Sequence, residues 1–151
     1  PTSASRIVAG IVNSALLYNK GMLARSGITI RTSGLRKPRL IMGDDAQLQL
    51  AITNILRNSA EAIEESRAKR REISIRLVQR LDSVELSIGD SGPGWSGVEQ
   101  TETPLTTTKS GGTGIGLYVV RTAVQNHGGT ITFTRSSLGG AKVRIVCPRA
   151  M

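Results

Sequence analysis

The stretch from Leu48 to Ile63 is the strongest constraint on how this chain can fold. Leu48, Ile52, Ile55, Leu56, Ser59, Ala62 and Ile63 fall on one stripe when residues are wound at about 100° each, so the segment is an amphipathic helix with one face to bury. Asp44 or Asp45 just upstream supplies a carboxylate for the orphan N–H groups of a first turn. The helix is expected to fray into Glu64–Arg71, and there the period changes. Ile73, Ile75 and Leu77 alternate with polar residues, Leu81-Asp82-Ser83 marks a turn, and Val84, Leu86 and Ile88 alternate again. A one-faced helix followed by a one-faced hairpin buries both faces by stacking them in two layers.

The rest of the chain extends these layers. Residues 7–24 carry Ile7, Ile11, Leu16, Leu17 and Leu23 at looser helical spacing, and Gly27 interrupts them. Ile28–Thr32 reads as a short strand, Ser33–Pro38 as a basic turn, and Arg39–Met42 as a second short strand. Leu117–His127 predicts a helix with Leu117, Val120, Ala123 and Val124 inward, stopped by Gly128-Gly129. Thr130–Arg135 and Lys142–Cys147 form a hairpin around Gly139-Gly140. Between these parts, Ser91–Gly112 has no sustained period, and a loop of that length in a compact domain is usually a working one, such as a lid. The expected class is α/β in the broad sense: an α+β two-layer sandwich, its mixed, mostly antiparallel sheet covered on one face by helices.

Composition narrows the function. Aromatics make up 3% of the chain, so aliphatic residues do most of the packing and stacking on bases is not expected. No nucleic-acid partner is therefore expected. The single Cys147 leaves no disulfide within the chain and no cysteine-built zinc site, which suits a reducing, cytoplasmic setting. The net charge of +9 favours anionic partners, and the part of it at Arg67–Arg71 reads as a solvated helix end. No apolar run approaches the roughly 20 residues of a membrane span, and no signal peptide is visible. The start at Pro1 fits a piece of a longer protein, so any membrane attachment would lie in other parts of that protein.

Three groups of residues carry chemistry. Asn54 and Asn58 are one helical turn apart on one face, with Glu61 continuing the row at the boundary between core and surface. A neutral amide oxygen is a suitable hard ligand for magnesium, although two boundary asparagines are unremarkable by themselves. Asp90 closes a strand whose inward residues are apolar, and a carboxylate there can accept a hydrogen bond from an exocyclic amine. Gly92 and Gly94 allow tight turning and close approach of a ligand. Gly92–Gly97 also fits GxGxxG, but Pro93 and the polar loop oppose the helix that this fingerprint needs, so the match is accidental. Gly111, Gly112, Gly114 and Gly116, with Thr113 among them, precede a helix at Leu117, where free N–H groups attract anions. No GxxxxGK[ST] occurs; Lys109 and Thr106–Thr108 stand close enough in sequence to reach phosphates. His127, the single histidine, reads as a helix end rather than as a catalyst.

In this order the groups resemble the boxes of the GHKL ATP-binding superfamily, specifically the catalytic ATP-binding domain of sensor histidine kinases. NILRNSAEA resembles the N box, DSGPGW the first glycine box, and TTTKSGGTGIGL the lid end with the second. The resemblance covers about Ile28 to Pro148. It implies a Bergerat-type fold with ATP between helices and sheet and a lid at about 95–112. Residues 1–27 would be the end of a preceding helical region or a lead-in helix, and 28–151 the catalytic domain. Asp90 would bind the adenine amine and Asn58 the Mg²⁺, with Asn54 assisting. Gly92 and Gly94 would shape the adenine side, while Lys109, Gly112, Thr113, Gly114, Gly116 and Leu117 would complete the nucleotide site. The implied reaction moves the γ-phosphoryl group to a histidine on a separate dimeric helical hairpin, with a response regulator downstream. Superfamily ATPases place a glutamate where Asn54 stands, and an amide cannot take a proton from water as that carboxylate does.

Departures from the pattern are Pro104-Leu105 before the threonines, Trp95 after the glycine box, and Gly140-Ala141 in place of glycine-threonine. His127-Gly-Gly does not resemble the family's acceptor histidine, so the acceptor is expected elsewhere. The alternatives are an anti-sigma-type serine kinase of the same superfamily, a GHKL ATPase, or a basic nucleic-acid-binding module.

Overall fold

The computed structural model describes residues 3–35, 46–94 and 114–148. In chain order these form α1 (Ser3–Tyr18), α2 (Lys20–Arg25), β1 (Thr29–Ser33), α3 (Ala46–Ser66), β2 (Glu72–Gln79), β3 (Ser83–Asp90), α4 (Gly114–Asn126), β4 (Thr130–Arg135) and β5 (Ala141–Pro148). One five-stranded sheet runs β1-β2-β3-β5-β4. β1 pairs with β2 in parallel and every other pair is antiparallel, as the period-2 runs predict. The expected strand at Arg39–Met42 and the cap at Asp44 or Asp45 lie outside the described residues.

Register explains why one face is buried. Ile75 lies opposite Ile88, Ile88 opposite Val143, and Val143 opposite Phe133, so one apolar row crosses four strands. Leu77, Leu86, Ile145 and Ile131 form the next row. Because side chains alternate between faces at every residue, placing one such row inward places the others inward too. On these rows lie Ile52, Ile55, Leu56 and Ile63 of α3, Val120, Ala123 and Val124 of α4, and Ile11, Val12 and Ala15 of α1, all in one buried cluster. The opposite face is polar and carries the ion pairs Arg31–Glu72 and Arg144–Glu85.

Some element boundaries differ from the sequence reading, each for a local reason. The single helix expected over 7–24 is broken at Asn19, which is buried; its Nδ2 donates to Ala15 O at 2.8 Å and to Thr53 Oγ1 on α3 at 3.3 Å. A buried amide that bonds across helices fixes the break and ties it to α3. α3 does not fray through Arg71 but stops at Ser66. Arg67 takes φ 54, Arg67 N donates to Glu64 O and Ala68 N to Ile63 O, the paired bonds of a left-handed helix end. Within the basic run, Arg71 is inserted rather than solvated: its guanidinium donates to Ala68 O and Ser26 O and pairs with Glu64. α4 starts at Gly114, three residues before the expected Leu117, and closes at Gly128 (φ 72) with Gly129 N bonded to Val124 O. His127 lies just past this end, its Nδ1 2.8 Å from Ala123 O, which is the helix-end role expected of it.

Candidate nucleotide site

The cleft lies between α3, the first part of α4 and the ends of β3 and β5. Its walls are the apolar side chains Ile55, Ile88, Leu117 and Val143, with Ala62, Gly94 and Ala141 at the margins. Three polar residues converge on it: Asn58, Ser59 and Asp90. Small side chains on one edge of α3 are what let the helix stand close to the strand end here.

Asp90 is the chemical centre. It is the last residue of β3, only 2% exposed, and faces the helices because it shares the inward phase of Leu86 and Ile88. Its Oδ1 accepts from Gly92 N at 2.9 Å and from Ala141 N at 3.1 Å. Among the described residues no cation pairs with it and Oδ2 accepts no hydrogen bond. A buried carboxylate is costly unless hydrogen-bonded, and here two backbone donors hold one oxygen and aim the other.

The surrounding glycines act in different ways. Gly94 has φ 92, the left-handed conformation anticipated for it. Gly92 needs no positive φ; a Cβ on it would come 3.2 Å from Asp90 Oδ1, a tight approach, and 3.5 Å from Ala62 Cβ, an ordinary contact. The position that the sequence reading undervalued is Gly140. A Cβ on it would overlap Asp90 Oδ1 and sit 2.6 Å from both Asp90 O and Gly92 N. The β4–β5 turn brings it there, with Gly140 N donating to Asp90 O at 3.1 Å. The glycine pair at the hairpin tip was legible, but not that it lies under the carboxylate.

Of the other predicted residues, Asn58 lines the cleft, half-buried, while Asn54 and Glu61 are half-buried on α3 but not among the lining residues. Leu117 lines it from α4. Gly114 and Gly116 fall inside the first turn of α4 rather than ahead of it, where backbone N–H groups are still without intrahelical partners. Lys109, Gly112 and Thr113 lie outside the described residues. Among the described residues no group of His, Cys, Asp and Glu could hold a metal ion, so a metal here would rely on amide oxygen and ligand oxygens.

Residues 43–151 match the family model described as histidine kinase-, DNA gyrase B-, and HSP90-like ATPase. The chain belongs to this family. The FixL sensor protein of Bradyrhizobium diazoefficiens is 31% identical over 145 residues, 91% of this chain and 28% of that protein. Among solved structures, the catalytic domain of histidine kinase ThkA superposes with a TM-score of 0.73 at 21% identity, covering 92% of this chain and 90% of that one. Full-length ShkA, solved in complex with AMPPNP, gives a TM-score of 0.74 at 19% identity over 95% of this chain and 30% of its own. The chain spans about a quarter of the length of the curated relatives it matches. It is an ATP-binding catalytic domain of the sensor histidine kinase type.

Proposed function

We propose that this domain binds Mg-ATP in the Asp90 cleft and transfers the γ-phosphoryl group to a histidine on a separate helical hairpin. The observation that carries the reading is the Asp90 carboxylate, buried on the cleft, held by two backbone N–H groups at one oxygen and with no donor to the other among the described residues. An exocyclic amine is the donor that such an acceptor selects, and aliphatic walls suit the apolar faces of a purine ring. Asn58, on the same cleft, would offer its amide oxygen to Mg²⁺, which neutralises phosphate charge when bound. Asn54, one turn earlier, would support that role, and the first-turn N–H groups of α4 with Lys109, Gly112 and Thr113 would take the phosphates. Since neither asparagine can serve as a base, the domain positions phosphates rather than activating water.

In this reading residues 28–151 are the catalytic domain with its lid at about 95–112. Residues 1–27 lead in from the acceptor-bearing region, consistent with the packing of α1 on α3. The downstream partner is a response regulator and the setting is cytoplasmic. None of the described helices is long and apolar enough to cross a membrane.

The test is calorimetric titration of the chain with ATP at millimolar Mg²⁺, followed by transfer to an acceptor hairpin supplied in trans. The phosphoprotein should be acid-labile, as phosphohistidine is. Asn58→Ala should abolish transfer while costing less than about 1 kcal/mol of stability. Transfer at the normal rate by this variant, or an acid-stable product, would refute the assignment.

A further inference from the structure

Ser59 breaks a local rule in the cleft. It sits in the middle of α3, only 7% exposed, and lines the same cleft as Asp90. A serine buried in a helix usually returns its hydroxyl to a carbonyl one turn back, as Ser66 does to Ile63 O at 3.1 Å. The Ser59 hydroxyl makes no hydrogen bond among the described residues. Alanine would be the better helix former and would leave no polar atom buried, so serine here is unfavourable to folding on both counts. Buried polar groups without partners are rare in proteins, and one lining a cleft points to a ligand.

We propose that Ser59 is a base-reading residue: its hydroxyl hydrogen-bonds the ring nitrogen beside the exocyclic amine of the bound purine, directly or through one water. The inference rests on the ATP reading above and adds a second contact to it. Ile55, Ile88, Leu117 and Val143 supply apolar surface for the ring faces, which leaves the polar edge of the base to Asp90 and Ser59. Asp90 Oδ2 can only accept, whereas a hydroxyl can donate. Acceptor beside donor matches adenine, which presents an N–H next to a ring-nitrogen lone pair. A 6-oxopurine presents the reverse order, so the two residues together read two adjacent atoms rather than one.

The experiment compares ATP with 1-deaza-ATP, in which C–H replaces that ring nitrogen, on the whole chain and on Ser59→Ala, by calorimetry. The wild type should prefer ATP by roughly 3- to 10-fold. Ser59→Ala should weaken ATP by a similar factor and leave 1-deaza-ATP unchanged, so that the preference disappears, with no fall in melting temperature. A merely structural role would weaken both ligands equally. An unchanged preference in Ser59→Ala, or unchanged ATP affinity, would overturn the proposal while leaving the ATP site standing. Failure of the wild type to bind ATP would overturn both.

Discussion

β3 carries two carboxylates five residues apart, on opposite faces of the sheet, and the protein treats them oppositely. Glu85 faces outward among cations. Arg144 Nε and Nη2 bond its two oxygens at 2.9 Å each, and Arg80 approaches at 3.3 Å. The Arg144 hydrogen bonds hold the Glu85 carboxyl below its ordinary range. Asp90 faces inward, with no cation among the described residues and one oxygen unused. Both oxygens of Glu85 are thus bonded by its own chain, and the residue serves the sheet. Asp90 has donors on one oxygen only among the described residues, which in the proposed function leaves the other for the nucleotide. The distinction lies in which partners remain unmade, since both are acidic residues on one strand.

A second contrast supports this. The groove formed by Leu16, Leu17, Lys20, Leu23, Ala24, Ile28 and Ile30 is larger, about 410 Å³ against about 50 Å³ for the Asp90 cleft. Its lining is almost wholly aliphatic, and size without convergent polar groups specifies no ligand.

The sharpest way to break the comparison is Asp90→Asn. The amide oxygen can still accept from Gly92 N and Ala141 N, but an N–H₂ now meets the amine of the base, donor against donor. ATP affinity should fall by about 100-fold or more, measured by calorimetry, with a modest change in melting temperature. Affinity within a few-fold of wild type would mean that Asp90 is no more than structural. Gly140→Ala is the next largest. Its methyl group must displace the Asp90 carboxylate, so we expect about a 10-fold loss of affinity together with about 1–3 kcal/mol of stability in denaturant titration.

Glu85→Gln should show the opposite profile. Nucleotide affinity stays within about twofold, while stability at pH 7 drops by less than about 1 kcal/mol because the pair is on the surface. The sign is fixed by linkage. With the folded pKa depressed, the wild-type contribution is fully present above the unfolded carboxylate value of about 4.3 and is lost as pH falls through the lower folded value. The difference between wild type and Glu85→Gln should therefore shrink in that acidic window, and a difference that persists through it would contradict the ion-pair account. Smallest of all, Leu17→Ser in the aliphatic groove should leave ATP affinity unchanged and alter stability by no more than about 0.5 kcal/mol, since Leu17 is already 73% exposed. A loss of ATP affinity there would tie the groove to the nucleotide cleft.

The sequence by itself determined the layers and singled out Asn58, Asp90, Gly94 and Leu117 among the residues that line the cleft. Periods of 3.6 and 2 are local, so the stripe of α3, the alternation of β2 and β3 and the helix stop at Gly128-Gly129 could all be read along the chain. Asp90 and Asn58 were visible because each stands at a phase boundary, where an apolar pattern meets a polar residue. Other features depended on residues far apart in sequence. The helix break at Asn19 is fixed by Thr53, the anchoring of Arg71 involves Ser26, and the need for glycine at position 140 comes from Asp90. Ser59 was legible only as part of the apolar stripe; its missing partner appears once strand and helix close over it. Only the tertiary structure could decide these, because hydrogen-bond satisfaction and steric overlap are properties of atoms brought together by folding rather than of any window of residues.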